Sequence, residues 1–273
     1  MRTETPEPGN TAHDDAAEAG ARGRSGYAVD AVNRAIDILS VFSVARPSLT
    51  LNEIVVATGL PKTTTFRILS TLIDRGLCER DPKAQTYSLG YHILHLGEVR
   101  RRQSNLRDIA LPLMRDIRDA IGETVVLSMR QGDFRVQIDY VEGVQPLRRI
   151  ATPGLQAPLY AGAASRVLLA GLSDDEVGSY LHRTELTRLQ RNTMTSPAAL
   201  RAEITRIRKR GYAESNNEVL EGGAALAAPV KSRDGTTLGV VDIITPEVRY
   251  SRTHRESCIR LLLEGVRSLA SRL

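Results

Sequence analysis

The chain has 273 residues, 41% hydrophobic and 25% charged, with 37 basic against 32 acidic side chains. That is the composition of a soluble globular protein long enough for two domains. No apolar run reaches the roughly 20 residues of a membrane span, and the N-terminus lacks the basic-then-apolar order of a secretory signal. A cytoplasmic protein with no membrane partner is therefore expected. The mild basic excess admits a nucleic-acid partner without requiring one. Three Phe and no Trp argue against an aromatic platform for single strands.

Residues 1–26 are rich in Pro, Gly, Ala and acids and nearly free of large apolar side chains, which predicts a disordered tail. From Val29 the pattern changes. Val32, Ile36 and Leu39, with Ala35 and Phe42, recur at helical spacing and end before Arg46-Pro47. Leu51, Ile54, Val55 and Thr58 give a short second helix stopped at Gly59, and Pro61 suits the first turn of a third. On a wheel of roughly 100° per residue, Phe66, Ile68, Leu69, Leu72 and Ile73 share one arc of this third helix. Thr63, Thr64, Arg67, Ser70 and Thr71 lie opposite, while Thr65 falls toward the apolar side. Three consecutive Thr are poor helix formers, so propensity did not select them. Their hydroxyls suit phosphates and base edges, their methyls suit thymine, and Arg grips guanine or phosphate. The same face also fits an ordinary solvated surface.

Residues 77–80 and 86–89 read as short strands around the turn Asp81-Pro82-Lys83. Three helices followed by a hairpin make the plan of a winged helix-turn-helix over residues 27–90. Lys62, Arg80 and Lys83 are placed to meet phosphates, Thr64 and Arg67 to read bases. The string Pro61-Lys62-Thr63-Thr64 resembles the end of a phosphate-binding loop but lacks the glycines and the strand before it. A connecting helix follows over residues 91–104, with Ile93, Leu94, Leu96 and Val99 on one side. His92, His95 and Glu98 share a face, fitting solvated or interface side chains better than a metal site.

Residues 105–273 make a second unit. Helices are expected over 106–121, 161–170, 174–181, 197–210 and 252–272, and strands over 124–130, 134–141, 225–231 and 238–244. Residues 147–151 offer a further strand. Strands and helices mix without strict alternation, so the class is α+β, with an antiparallel sheet and helices around it. Cys78 and Cys258 fall in different units and have no metal-ligand spacing, so both are expected to be reduced and structural. An enzyme would need a catalytic constellation. No nucleophile elbow, paired Cys and His motif or metal triad occurs, and His182 and His254 lack recognisable partners. No catalytic residue and no cofactor is expected. A protein-binding Thr face remains the other alternative to DNA.

Four blocks carry a family resemblance: TLNEIVVATGLPKTTTFRILSTLIDRGL, YSLGYHILHLG, RGYAESNNEVLEGGAALAAPV and GVVDIITP. Over about residues 29–270 the chain resembles IclR-type bacterial transcriptional regulators. That resemblance implies a winged helix-turn-helix, a linker helix used in dimer contacts and a GAF-like ligand-sensing domain. It also implies homodimers or homotetramers on double-stranded operator DNA, most often as repressors and sometimes as activators, under the control of an organic metabolite. Carried over by position, the effector residues are Ala163, Ala164, Ser215, Glu218, Ala225, Asp242 and Ile244. Ala225 and Ile244 stand where relatives have polar or thiol groups, implying a more apolar pocket than one made for a very small oxoacid. Asp242 would accept from a ligand hydroxyl. Arg148 and Arg149 are either carboxylate partners or satisfied structural residues. The chain departs from the family at Ser165-Arg166, where Gly-Lys is frequent, and at Lys231-Ser232, where an aromatic and then Asp or Asn is usual.

Overall fold

The computed structural model describes residues 29–102 and 105–270. The predicted tail over residues 1–26 lies outside them. The described chain falls into two compact units divided at residue 105.

The N-terminal unit runs α1 (Asp30–Ser40), β1 (Ser48–Thr50), α2 (Leu51–Thr58), α3 (Lys62–Asp74), β2 (Cys78–Asp81), β3 (Thr86–Leu89) and α4 (Tyr91–Arg102). Thr50 starts α2 through a capping box. Its Oγ1 accepts from the Glu53 amide at 3.3 Å while Glu53 Oε2 accepts from the Thr50 amide at 2.7 Å. The three strands are antiparallel in the order β1-β3-β2, with Tyr87 between Leu49 and Arg80. Ile38, Leu49, Ile54, Leu69, Leu72, Cys78 and Tyr87 form the core. Thr65 is fully buried beside them, its hydroxyl donating to the Pro61 carbonyl at 3.1 Å.

The helix expected from the spacing of Val32, Ile36 and Leu39 forms as α1, but its buried residue is Ile38, and Val32 and Ile36 are 55% and 54% exposed. A core this small reaches only the Ala35, Ile38, Leu39 and Phe42 side of the helix. In α3, Phe66 is 48% exposed, because Thr65, Leu69 and Leu72 already fill the contact line with α1 and α2. β1 was not anticipated. Three residues are too few to show a period of two.

The C-terminal unit contains α5 (Asn105–Ile121), β4 (Thr124–Gln131), β5 (Phe134–Val141), β6 (Gln156–Pro158), α6 (Ala163–Ala170), α7 (Asp174–Arg183), α8 (Pro197–Arg210), β7 (Ala213–Asn216), β8 (Gly223–Lys231), β9 (Thr237–Pro246) and α9 (Arg252–Ala270). Its six strands are antiparallel in the order β6-β5-β4-β9-β8-β7. Side chains alternate across this sheet. Val125, Leu127, Leu226, Ala228, Val230, Val241 and Ile243 face α5 and α9. There Gly265 lets the helices approach, since a Cβ would sit 2.5 Å from Leu113 Cδ1. Ala213, Ala227 and Val240 face the opposite layer of α6, α7 and α8. The α8 limits follow from local chemistry. Ser196 caps its N-terminus, Pro197 fills the first turn, and Gly211 ends it at φ +84°.

The strand expected over 147–151 does not form. This segment is held by side-chain bonds instead of a ladder. The Thr124 hydroxyl donates to the Arg149 carbonyl at 2.6 Å, and Arg148 Nε donates to Glu142 at 2.5 Å. The short edge strands β6 and β7 take the two ends of the sheet.

In urea or guanidinium unfolding, Leu69→Ala is expected to cost roughly 2–5 kcal/mol and Thr65→Val about 1 kcal/mol for its hydrogen bond. A Thr65→Lys chain with an unchanged unfolding midpoint would contradict the burial of Thr65.

Candidate DNA interface and effector site

Pro61 opens α3, and the next turns present Lys62, Thr63, Arg67 and Thr71 to solvent, with Thr64 and Ser70 half-buried. The Ser70 hydroxyl donates to the Phe66 carbonyl at 3.0 Å and the Thr71 hydroxyl to the Arg67 carbonyl at 3.1 Å. Both oxygens remain free to accept, and Arg67 is left as the long donor on this face. Exposed Phe66 adds an apolar surface beside Arg67 that the wheel had assigned to the core. In the wing, Arg80 lies 5.8 Å over the Tyr87 ring and donates to Gln85 at 2.6 Å. Lys83 sits in a turn fixed by Asp81, which accepts from the Lys83 amide at 2.8 Å.

In the C-terminal unit the strand register gathers the candidates. Ser215, Ala225 and Ile244 form one row across β7, β8 and β9, ending at Thr124 on β4. Asp242 lies in the next row with Ala213, Ala227 and Val126. All four candidates share the face opposite α5 and α9. A bulge between Leu127 and Ser128 brings Gln137 opposite Ser128 on that face, with Arg135 two residues further along β5. Ala163 and Ala164 are buried at the start of α6, in the layer over this face.

This face is polar for a protein interior. Asp242 is 3% exposed, and its Oδ1 has no hydrogen-bond partner among the described residues. Arg135 is 7% exposed, and its Nη1 donates to Ser128 Oγ at 3.2 Å. Burial pushes the Asp242 carboxyl up to about 7, against the pull of Arg135, and burial lowers Arg135. Ser165 Oγ on α6 is also buried, with no partner among the described residues. Glu218 differs from the other candidates. Its carboxylate is paired with buried Arg166 and accepts from the Gly162 amide at 3.2 Å. Its carbonyl accepts from Thr193 at 2.6 Å, so Glu218 ties the loop after β7 to the start of α6. Arg148 is engaged by Glu142, and Arg149 Nη1 donates to the Glu221 carbonyl at 3.4 Å. The cleft between α5 and α9 at Leu113, Asp116 and Ser268 is about 60 Å³ and lies behind the other sheet face. It has room for about two waters.

His92 and His95 stack at 5.8 Å, and among the described residues no group of His, Cys, Asp and Glu is arranged to hold a metal. Cys78 and Cys258 are buried free thiols, pushed up by burial to about 11 and about 12. Thiols held protonated in this way are inert packing groups. Among the described residues no helix is long and apolar enough to cross a membrane.

Three helices with a hairpin wing and an exposed Lys62, Thr63 and Arg67 face make the architecture of a DNA-binding regulator. Residues 31–82 match the IclR helix-turn-helix domain, and residues 101–271 match the bacterial transcriptional regulator IclR C-terminal domain. The HTH-type transcriptional regulator KipR of Bacillus subtilis is 33% identical over 239 residues, covering 88% of this chain and 93% of KipR. The transcriptional repressor IclR of Escherichia coli is 29% identical over 225 residues, covering 82% of each chain. An IclR homologue of Microbacterium hydrocarbonoxydans, crystallised with 4-hydroxybenzoate, shares the fold at 21% identity with a TM-score of 0.73, over 88% of this chain and 98% of the other. The chain belongs to the IclR family of transcriptional regulators. It is a DNA-binding transcriptional regulator, not an enzyme.

Asp242 gives a pH signature. A carboxyl raised in the folded state supports folding below its unfolded value of 3.8 and opposes it increasingly as pH rises toward about 7. At pH 8, Asp242→Asn should therefore be more stable than wild type, by at most about 4 kcal/mol. The gain should vanish by about pH 4. A wild-type protein more stable than the variant at pH 8 would show the carboxylate to be paired.

Proposed function

We propose that this chain is a repressor that binds double-stranded operator DNA as a homodimer or homotetramer and responds to an organic metabolite. The observation that carries the DNA half is the exposed Lys62, Thr63, Arg67 and Thr71 face of α3 beside the Arg80 and Lys83 wing. Arg67 and Thr64 read bases, with Thr63, Ser70 and Thr71 flanking them. Lys62, Arg80 and Lys83 hold phosphates. Repression is supported by the name of the Escherichia coli relative. Self-association is supported by apolar side chains that a lone chain leaves exposed: Val32 and Ile36 on α1, with Val29 just before it, and Tyr91, Leu94 and Val99 on α4. A symmetric dimer presents two α3 helices to half-sites about one turn of DNA, roughly 34 Å, apart or a multiple of it.

The effector occupies the polar sheet face. Ser215, Ala225, Ile244 and Asp242 line it, Ala163 and Ala164 form the opposite wall, and Glu218 holds the frame through Arg166. The homologue holding 4-hydroxybenzoate supports an organic ligand in this fold. A ligand that prefers one dimer arrangement changes the spacing of the recognition helices, and operator affinity follows.

Two fluorescence-anisotropy comparisons on operator and random DNA test the DNA face. Arg67→Ala is expected to lose roughly 1–3 kcal/mol of discrimination. Lys83→Ala should weaken both kinds of binding alike and reduce the salt slope by about 1. Equal losses on both DNAs for Arg67→Ala would remove its base-reading role. Ala225→Phe should abolish the effector's influence on operator affinity, and an unchanged response would move the site elsewhere.

A further inference from the structure

We infer that Phe66 is a specificity residue for operator DNA, its ring seated against the C5-methyl group of a thymine in the major groove. The inference rests on α3 being the recognition helix, and adds one residue and one base to that reading.

Phe66 is 48% exposed on the helix whose polar side is proposed to meet bases. A lone apolar side chain on an ordinary surface needs no explanation. This one borders the polar side. At roughly 100° per residue, it stands about 60° from Thr63 and about 40° from Ser70 around α3. Thr63 is exposed and Ser70 half-buried. Its other neighbours one turn away are exposed Lys62 and buried Leu69. The core closes along Thr65, Leu69 and Leu72 without it. Burial therefore does not account for a Phe at this position. Helix propensity does not either, since Phe is a mediocre helix former.

The surroundings leave the ring open to the groove. The Ser70 hydroxyl donates to the Phe66 carbonyl at 3.0 Å, which holds that short side chain against the helix backbone. No acidic residue occurs on α3 before Asp74, about two turns further on. Lys62, one turn before, offers a cation to a nearby phosphate. The major groove is about 12 Å wide and a helix with its side chains about 10–12 Å across. A helix lying there touches the groove with its flanks as well as its leading side. With Thr63 and Arg67 leading, Phe66 is on the flank. Thymine alone among the four bases presents a methyl group in that groove, and apolar side chains meet it. Cytosine and the purines present polar atoms instead. The ring would shut water away from those atoms without pairing them, so they are selected against.

The test uses the full chain and a duplex that it enriches from a random pool, with binding read by fluorescence anisotropy. Each thymine is replaced in turn by deoxyuridine, which removes the methyl group alone. At one or more positions the replacement should weaken wild-type binding about four-fold, the worth of one buried methyl. In Phe66→Ala and Phe66→Gln the same replacement should change nothing, with circular dichroism as the check on folding. A wild-type chain indifferent to every methyl group overturns the thymine contact. A methyl effect that persists in the folded variants belongs to another side chain and overturns the role of Phe66. Arg67→Ala separates the two levels of the reading. Lost discrimination in Arg67→Ala beside a methyl effect untouched by the Phe66 variants keeps the recognition helix and overturns this inference alone. If no duplex is enriched, or if Arg67→Ala and both Phe66 variants bind every duplex as the wild type does, both readings fall.

Discussion

The two-residue period of an antiparallel sheet is the constraint on which the C-terminal unit depends. It sends Val125, Leu127, Val241 and Ile243 toward α5 and α9, where they make an apolar core. The same period sends Ser128, Ser215, Ala225, Asp242 and Ile244 to the other face. One face can thus supply hydrophobic stability while the other keeps polar groups such as Asp242 and Ser128. The bulge at Leu127 and Ser128 adjusts this pattern so that Gln137 and Arg135 share the polar side.

Around that face runs a frame of charge-assisted bonds. Arg166 on α6 is fully buried, pairs with Glu218 and donates to the Glu214 carbonyl at 2.5 Å. The Glu214 carboxylate in turn accepts from Arg255 at 2.6 Å and from the Tyr250 hydroxyl at 3.0 Å. Edge strand β7 is therefore tied on one side to α6 and on the other to α9. Glu123, just before β4, is gripped in the same way by Nε and Nη2 of Arg249 at 2.6 and 2.8 Å. Such bonds fix the geometry of a site more than they raise stability, because burying each charge offsets most of the attraction.

Much of this was legible in the sequence, for identifiable reasons. Helix α8 was bounded correctly because Ser196-Pro197 and Gly211 are chemical punctuation. Thr65 was placed inward by wheel angle alone, and it is buried. Phe66 was misplaced because apolar character on the wheel was taken for burial, and a three-helix core has too little surface to cover it. The short strands β1, β6 and β7 have too few residues to show alternation. Arg135 was not singled out in the sequence because the face it takes depends on a bulge, which has no sequence pattern. The effector candidates were reached through family resemblance; it was the register that brought Ser215, Ala225 and Ile244 into one row.

The central claim is that the polar sheet face receives the molecule that controls DNA binding. A crystal structure of the full chain with a compound that changes its operator affinity tests this most directly. The compound is expected between α6 and the sheet, against the Ser215, Ala225 and Ile244 row and touching Asp242. The same compound bound on the α5 and α9 side, or in the N-terminal unit with the polar face unchanged, would contradict it.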